Sequence, residues 1–183
     1  MSWIQTHSGQ AFDLANPTPA MVNLPDIAHA LGHICRFTGH TSMPYSVAHH
    51  SLLVADLVEP EHRLQALLHD AHEAYIGDMS TPLKWLMPTE YRVVEERVWL
   101  AVAAAFRIDP VLHPSVKQAD RIMLMTERRD LLAPCDHRWA EEYEAVPARE
   151  KQIDVHQLNF GAQDAWAFQR AVGDELQKRR AAA

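Results

Sequence analysis

Leu67-Leu68-His69-Asp70-Ala71-His72-Glu73-Ala74-Tyr75-Ile76-Gly77-Asp78 is the stretch whose reading decides the fold. It continues an apolar run through Leu64 and Ala66 that has the spacing of a buried helix. If the helix runs on to Gly77, Glu73 lies over the same surface as His69 and Asp70. Three ionisable groups at the end of an apolar helix are costly to bury unless each has a partner. A divalent cation serves all three, because imidazole nitrogen and carboxylate oxygen are both ligands of first-row metals. A His-Asp pair by itself is more often a solvated pair, so the rest of the chain has to decide.

Downstream, Asp78-Met79-Ser80-Thr81-Pro82-Leu83-Lys84 reads as a loop entering a short helix. Residues 89–106 form an amphipathic helix (Tyr91, Val94, Val98, Ala101, Ala105) closed by Asp109-Pro110. Pro114-Ser115 opens another helix, with Val116, Ala119, Ile122, Met123 and Met125 on its apolar side. Asp120 falls among these residues, where an unpaired carboxylate is expensive. The charges at Glu127, Arg128, Arg129 and Asp130 read as a solvated face or internal ion pairs. From Ala133 to Val155 the pattern is weak and broken by Pro134 and Pro147. A last helix over 162–178 uses Trp166, Phe168, Val172 and Leu176, and the tail from Arg179 to Ala183 is expected to fray.

Upstream, Ser46 is placed to cap a helix carrying Val47, Leu53, Val54, Leu57 and Val58 inward. His49 and His50 stand about 100° apart on it, so one of the two faces the core. Before it lies Arg36-Phe37-Thr38-Gly39-His40. An arginine beside an aromatic ring suits a phosphate and a base. Taken alone the segment suits a helix C-terminus better, with Arg36 answering the dipole, Gly39 ending the helix and Phe37 packing. A helix begins at Pro25-Asp26 (Ile27, Ala28, Leu31, Ile34, Cys35). It carries His29 and His33 four residues apart, with no third ligand at usable spacing. Residues 3–12 read as two extended pieces around Ser8-Gly9, a small hairpin or an arm packed over the core.

The 183 residues fit one domain, and 48 % hydrophobic with 22 % charged residues is ordinary for a globular protein. A net charge of −7 argues against a general binder of nucleic-acid polymers, which needs a basic face. Cys35 and Cys135 match no metal-finger spacing and read as reduced. With no leader-like N-terminus and no apolar span of membrane length, the expectation is a cytoplasmic protein without membrane attachment. The twelve histidines are many for this length.

The order H…HD…D on separate helices resembles the HD-domain metal-dependent phosphohydrolases. The likeness is closer over three segments. Tyr45-Ser46-Val47-Ala48-His49-His50-Ser51, then Leu68 to Lys84 with its HD…E…GD…TP.K block, then Val116-Lys117-Gln118-Ala119-Asp120 resemble the bacterial 5′-deoxynucleotidase branch. Prophage-encoded relatives and phage dATP triphosphohydrolases are similar too. The resemblance is strongest over 24–130 and implies an all-α fold: a single HD-domain helical bundle over 1–183 with a small N-terminal hairpin or extended arm.

By this resemblance His50, His69, Asp70 and Asp120 correspond to the ligands of one divalent transition metal ion. Histidine and carboxylate ligands suit manganese, cobalt, zinc, iron or nickel. Glu73 and Asp78 correspond to the acids that handle protons. Arg36, Phe37, His40 and Lys84 fall where phosphate, sugar and base are held. Two positions depart from the pattern: Phe37 stands for a tryptophan, and His49 for a glutamate. The implied activity is removal of the 5′-phosphate from deoxynucleoside monophosphates. The alternatives are release of triphosphate from a dNTP, a catalytically silent nucleotide-binding regulator, and a purely structural metal domain. The implied partner is a small deoxynucleotide, and apolar stripes at the surface allow a homo-oligomer.

Overall fold

A computed structural model describes residues 1–87, 89–139, 145–148 and 152–182. Strand β1 (Trp3–Gln5) pairs antiparallel with β2 (Ala11–Asp13), placing Ile4 opposite Phe12. Phe12 is fully buried and stacks on Tyr75 with ring centroids 3.7 Å apart. Ser8, in the turn, donates from its N–H and its hydroxyl to the two carboxylate oxygens of Asp26 at 2.7 and 2.8 Å. Residues 3–12 are therefore a hairpin that also packs over the core.

The regular elements that follow are helices: α1 (Leu24–His33), α2 (Val47–Ala55), α3 (Arg63–Leu68), α4 (Glu73–Ile76), α5 (Thr81–Leu86), α6 (Thr89–Phe106), α7 (Pro114–Leu131) and α8 (Ala162–Ala182), joined by loops and short 3-10 turns. The fold is mostly helical, as expected. None of the described helices is long and apolar enough to cross a membrane. Both cysteines are free.

Helix α2 lies at the centre, against α1, α3, α7 and α8. Val47, Ala48, His50, Ser51, Val54 and Ala55 are all buried, and the small residues among them let neighbouring helices approach. Ser46 caps α2 by accepting from the His49 N–H at 3.0 Å, and its hydroxyl donates to Asp164 of α8. His49 lies 3.1 Å from the other oxygen of Asp164. Of the two neighbours, His50 is therefore the inward one. Helices α1 and α8 meet at Gly32, where a Cβ would stand 2.6 Å from the Gly161 oxygen and 2.8 Å from the Ala165 nitrogen.

The structure corrects three expectations. The helix through Leu68 does not run unbroken to Gly77. His69 and His72 keep helical dihedrals, but Ala71 N–H bonds Leu68 O and Glu73 N–H bonds Asp70 O, both at 2.9 Å, as in a 3-10 turn. The cause is local: His69 Nδ1 takes the Ala66 carbonyl at 2.7 Å, the acceptor that the next α-helical bond would use. Second, α1 ends at His33, so Arg36–Gly39 is not its C-terminus. It is a separate tight turn in which Phe37 and Thr38 are left-handed (φ 53° and 54°). Third, the tail stays helical through Ala182. Residues 140–144 and 149–151 of the weakly patterned stretch, and Ala183, lie outside the described residues.

Candidate metal centre

Three segments converge beneath one cavity. From α2, His50 is fully buried. The turn between α3 and α4 brings His69 and Asp70, and α7 brings Asp120. Among the described residues, His50, His69 and Asp120 form a group whose ligand atoms all lie within 4.8 Å of one another. Asp70 reaches the same place, its Oδ2 3.2 Å from His69 Nε2 and 3.7 Å from His50 Nε2. Asp120 Oδ1 lies 3.1 Å from His50 Nε2 and 3.8 Å from His69 Nε2.

Hydrogen bonding decides which face each imidazole offers. His50 Nδ1 is 2.5 Å from Glu127 Oε1, and His69 Nδ1 is 2.7 Å from the Ala66 carbonyl. An ionised carboxylate and a carbonyl only accept, so each Nδ1 carries the proton and donates. Neutral rings then direct their Nε2 lone pairs at the shared space. Both Nε2 atoms are buried without a hydrogen-bond partner, since the nearby carboxylate oxygens are close but poorly aligned. Ligand atoms about 2.1 Å from one ion are separated by about 3.0–3.4 Å; the contacts at 3.1 and 3.2 Å fall in that range, and those at 3.7 and 3.8 Å lie just beyond it. The donor set fits a divalent metal ion.

Charge follows the same pattern. Burial disfavours ionisation of Asp70, but His69 and His50 outweigh it and hold the carboxyl below the usual range. Burial disfavours ionisation of Asp120 too, but the close approach of His50, then His69, overcomes it and holds the carboxyl well below that range. Both histidines are pushed up: at His69 by Asp70 and Asp120 against burial, and at His50 by Glu127 and Asp120 against burial and Arg36. A site that would otherwise attract protons in this way is one where a metal cation competes for the same nitrogens.

Above these groups opens a cavity of 840 Å³. Asp70, Asp120, Glu73, Asp78, Arg36, Phe37, His40 and Lys84 all line it, which unites nearly every residue singled out from the sequence. Glu73 is 4 % exposed and its Oε2 has no partner. Burial, then the charges of Asp70 and Asp78, push its pKa well above the carboxylate range. Asp78 is raised too, by burial working against Arg36. Gly77, at φ 81° and ψ 159°, makes the turn between them in a region open essentially to glycine alone.

The proposed phosphate cations are already engaged. Arg36 has its Nε and Nη2 3.2 Å from Glu127 Oε2 and its Nη1 3.6 Å from Asp70. Lys84 donates to Glu95 at 2.6 Å, with His72 Nε2 3.6 Å from the same oxygen. The Phe37 ring sits 5.3 Å from the Arg36 guanidinium and 6.1 Å from the Trp139 ring. Among the described residues His29 and His33 join no group able to hold a metal: His29 stacks on His7 at 3.6 Å between centroids, and His33 lies tilted against His29 at 4.3 Å.

Sequence reasoning missed Glu127, Glu95 and the cavity-lining pair Arg138-Trp139. Glu127 carried a usable signal, since Val116, Ala119, Asp120, Met123, Glu127 and Leu131 share one helical stripe. Trp139 follows the weakly patterned start of the C-terminal stretch and carried none.

The fold and the site define a mostly helical protein with a His-His-Asp cluster, its two histidines buried, that could hold a metal ion. No protein-family model matches the chain. It is 44 % identical over 152 residues to the uncharacterized protein YfdR of Escherichia coli, covering 82 % of this chain and 83 % of that protein. It is 39 % identical over 127 residues to an uncharacterized protein of Rhodobacter capsulatus, covering 64 % and 65 % of the two. The chain belongs to the same family as YfdR.

Proposed function

We propose that this protein is an HD-domain, metal-dependent phosphohydrolase that removes the 5′-phosphate from deoxynucleoside monophosphates. The observation that carries this reading is the pair of partnerless Nε2 atoms of His50 and His69, flanked by Asp120 and Asp70 at a cavity that also exposes Glu73 and Asp78. His50, His69, Asp70 and Asp120 would hold the ion. When bound, a divalent ion supplies Lewis acidity toward water and toward phosphoryl oxygen.

The remaining work falls to the chain's own groups. Water attacks phosphorus, the bond from phosphorus to O5′ breaks, and O5′ leaves as the alcohol after taking a proton. Glu73, which burial and the charges of Asp70 and Asp78 make hold a proton more readily than an exposed carboxylate does, is suited to deliver it. Asp78 shares that proton, and Phe37 offers a ring face to the sugar or base. Arg36 and Lys84 reach phosphate only by sharing hydrogens now given to Glu127 and Glu95.

Arg138 and His40 on the cavity wall lend support to a second reading, release of triphosphate from a dNTP, because that substrate needs more cations. The test is phosphate and polyphosphate release from dNMPs, rNMPs and dNTPs by chelated protein reloaded with manganese, cobalt or zinc. Orthophosphate from dNMPs, abolished in Glu73→Ala and Asp120→Ala, is the expected result. Triphosphate from dNTPs would establish the second reading instead. No product with any metal, while nucleotide still binds, would mean a regulator.

A further inference from the structure

Glu127 is fully buried on α7, and donors occupy both of its oxygens. Oε1 accepts from His50 Nδ1 at 2.5 Å and from the Tyr45 hydroxyl at 2.8 Å, and Oε2 has Arg36 Nε and Nη2 both at 3.2 Å. A carboxylate so enclosed is an expensive way to fill a helix stripe, where an apolar side chain of similar volume would be at least as stable. Its three partners explain its presence. One is the imidazole whose other nitrogen faces the metal space. Another, Arg36, reaches on to Asp70 at 3.6 Å.

We infer that Glu127 is the positioning residue of the metal centre. It fixes the tautomer and ring orientation of His50 directly, and it holds Asp70 through Arg36. The inference rests on the metal reading given above. Carboxylate–histidine–metal arrangements tune affinity through the outer carboxylate, whose loss costs about 10–100-fold. Arg36 accordingly belongs first to the scaffold of the centre and only second to any substrate.

The test is titration of the metal-free full-length protein with Co²⁺, read by calorimetry and by the visible absorption of bound Co²⁺. Glu127→Gln keeps the size and one acceptor for His50 but removes the charge. The expected result is Co²⁺ affinity about 10–100-fold weaker than wild type, with altered absorption bands, in a protein whose circular dichroism is unchanged. A folded Glu127→Gln that binds Co²⁺ with wild-type affinity and spectrum overturns the inference. If Glu127→Gln does not fold, the double variant Arg36→Gln/Glu127→Gln, which removes both members of the buried Arg36–Glu127 pair together, decides by the same two readouts. Wild-type protein that binds no Co²⁺ overturns the metal reading itself, an outcome visible before any variant is made.

Discussion

At the scale of single residues, the proposed acid role and stability pull apart at Glu73. Its pKa in the folded chain is raised above the ordinary 4.5, so folding favours the protonated acid. As pH rises past 4.5 the unfolded chain ionises first, and stability is lost until the folded value is passed. Glu73→Gln removes that loss. At pH 7 the metal-free variant should be more stable than wild type by on the order of 1 kcal/mol, and the difference should vanish near pH 4. Urea midpoints at the two pH values measure it; equal midpoints at both would show that Glu73 is not strained by burial. Phosphate release by the same variant should fall about 100-fold or more. The residues of the centre were legible because His69-Asp70, Glu73 and Asp78 crowd into one block, and because Asp120 lay on an apolar stripe that could not tolerate it alone. Glu127 lies on that same stripe, but beside Arg128, Arg129 and Asp130 it read as a solvated face or an internal ion pair, and the second is what it forms with Arg36.

At the scale of elements, caps and helix starts were legible and backbone departures were not. Ser46, Pro25 and Pro114 each mark a start that the structure bears out. The left-handed pair Phe37-Thr38 has no sequence signature, since neither residue favours that region. The contact of α1 with α8 gives a sharp prediction at Gly32. A methyl group there meets backbone rather than a movable side chain, so Gly32→Ala should cost roughly 1–3 kcal/mol, seen as a thermal midpoint several degrees lower. Helices α5 and α6 are joined by Lys84 and Glu95. His72, then Lys84, hold the Glu95 carboxyl down at about 2 against burial. The stability this contributes is complete above pH 4.5 and is lost as pH falls toward about 2. Glu95→Gln should therefore be less stable than wild type at pH 7, by on the order of 1 kcal/mol after solvent screening. That gap should close on acidification, and denaturant midpoints between pH 7 and pH 2 would follow it; a gap independent of pH would assign the effect to packing instead.

At the scale of the molecule, the candidate ligands come from α2, from the turn after α3, and from α7, so an ion bound there cross-links segments distant in sequence. An ion that binds only the folded state stabilises it by about 2.7 kcal/mol at a free concentration 100 times its Kd. Co²⁺ should accordingly raise the thermal midpoint of wild type by several degrees, a chelator should reverse the rise, and His69→Ala should show none. An equal rise in His69→Ala would place the ion elsewhere. The mostly helical class was legible from periodicity, and the hairpin from its turn residues. Its attachment to α1 and Tyr75 was not, because nothing in a local pattern announces a partner so far along the chain. Helix α7 carries one further consequence, for descent. Asp120 and Glu127 face the same way only because two helical turns nearly equal seven residues, and each residue added or removed between them swings one past the other by about 100°. Any insertion or deletion from Arg121 to Thr126 separates ligand from support in a single event, whereas a substitution at an exposed position there leaves both in place. The length of that interval should outlast its composition.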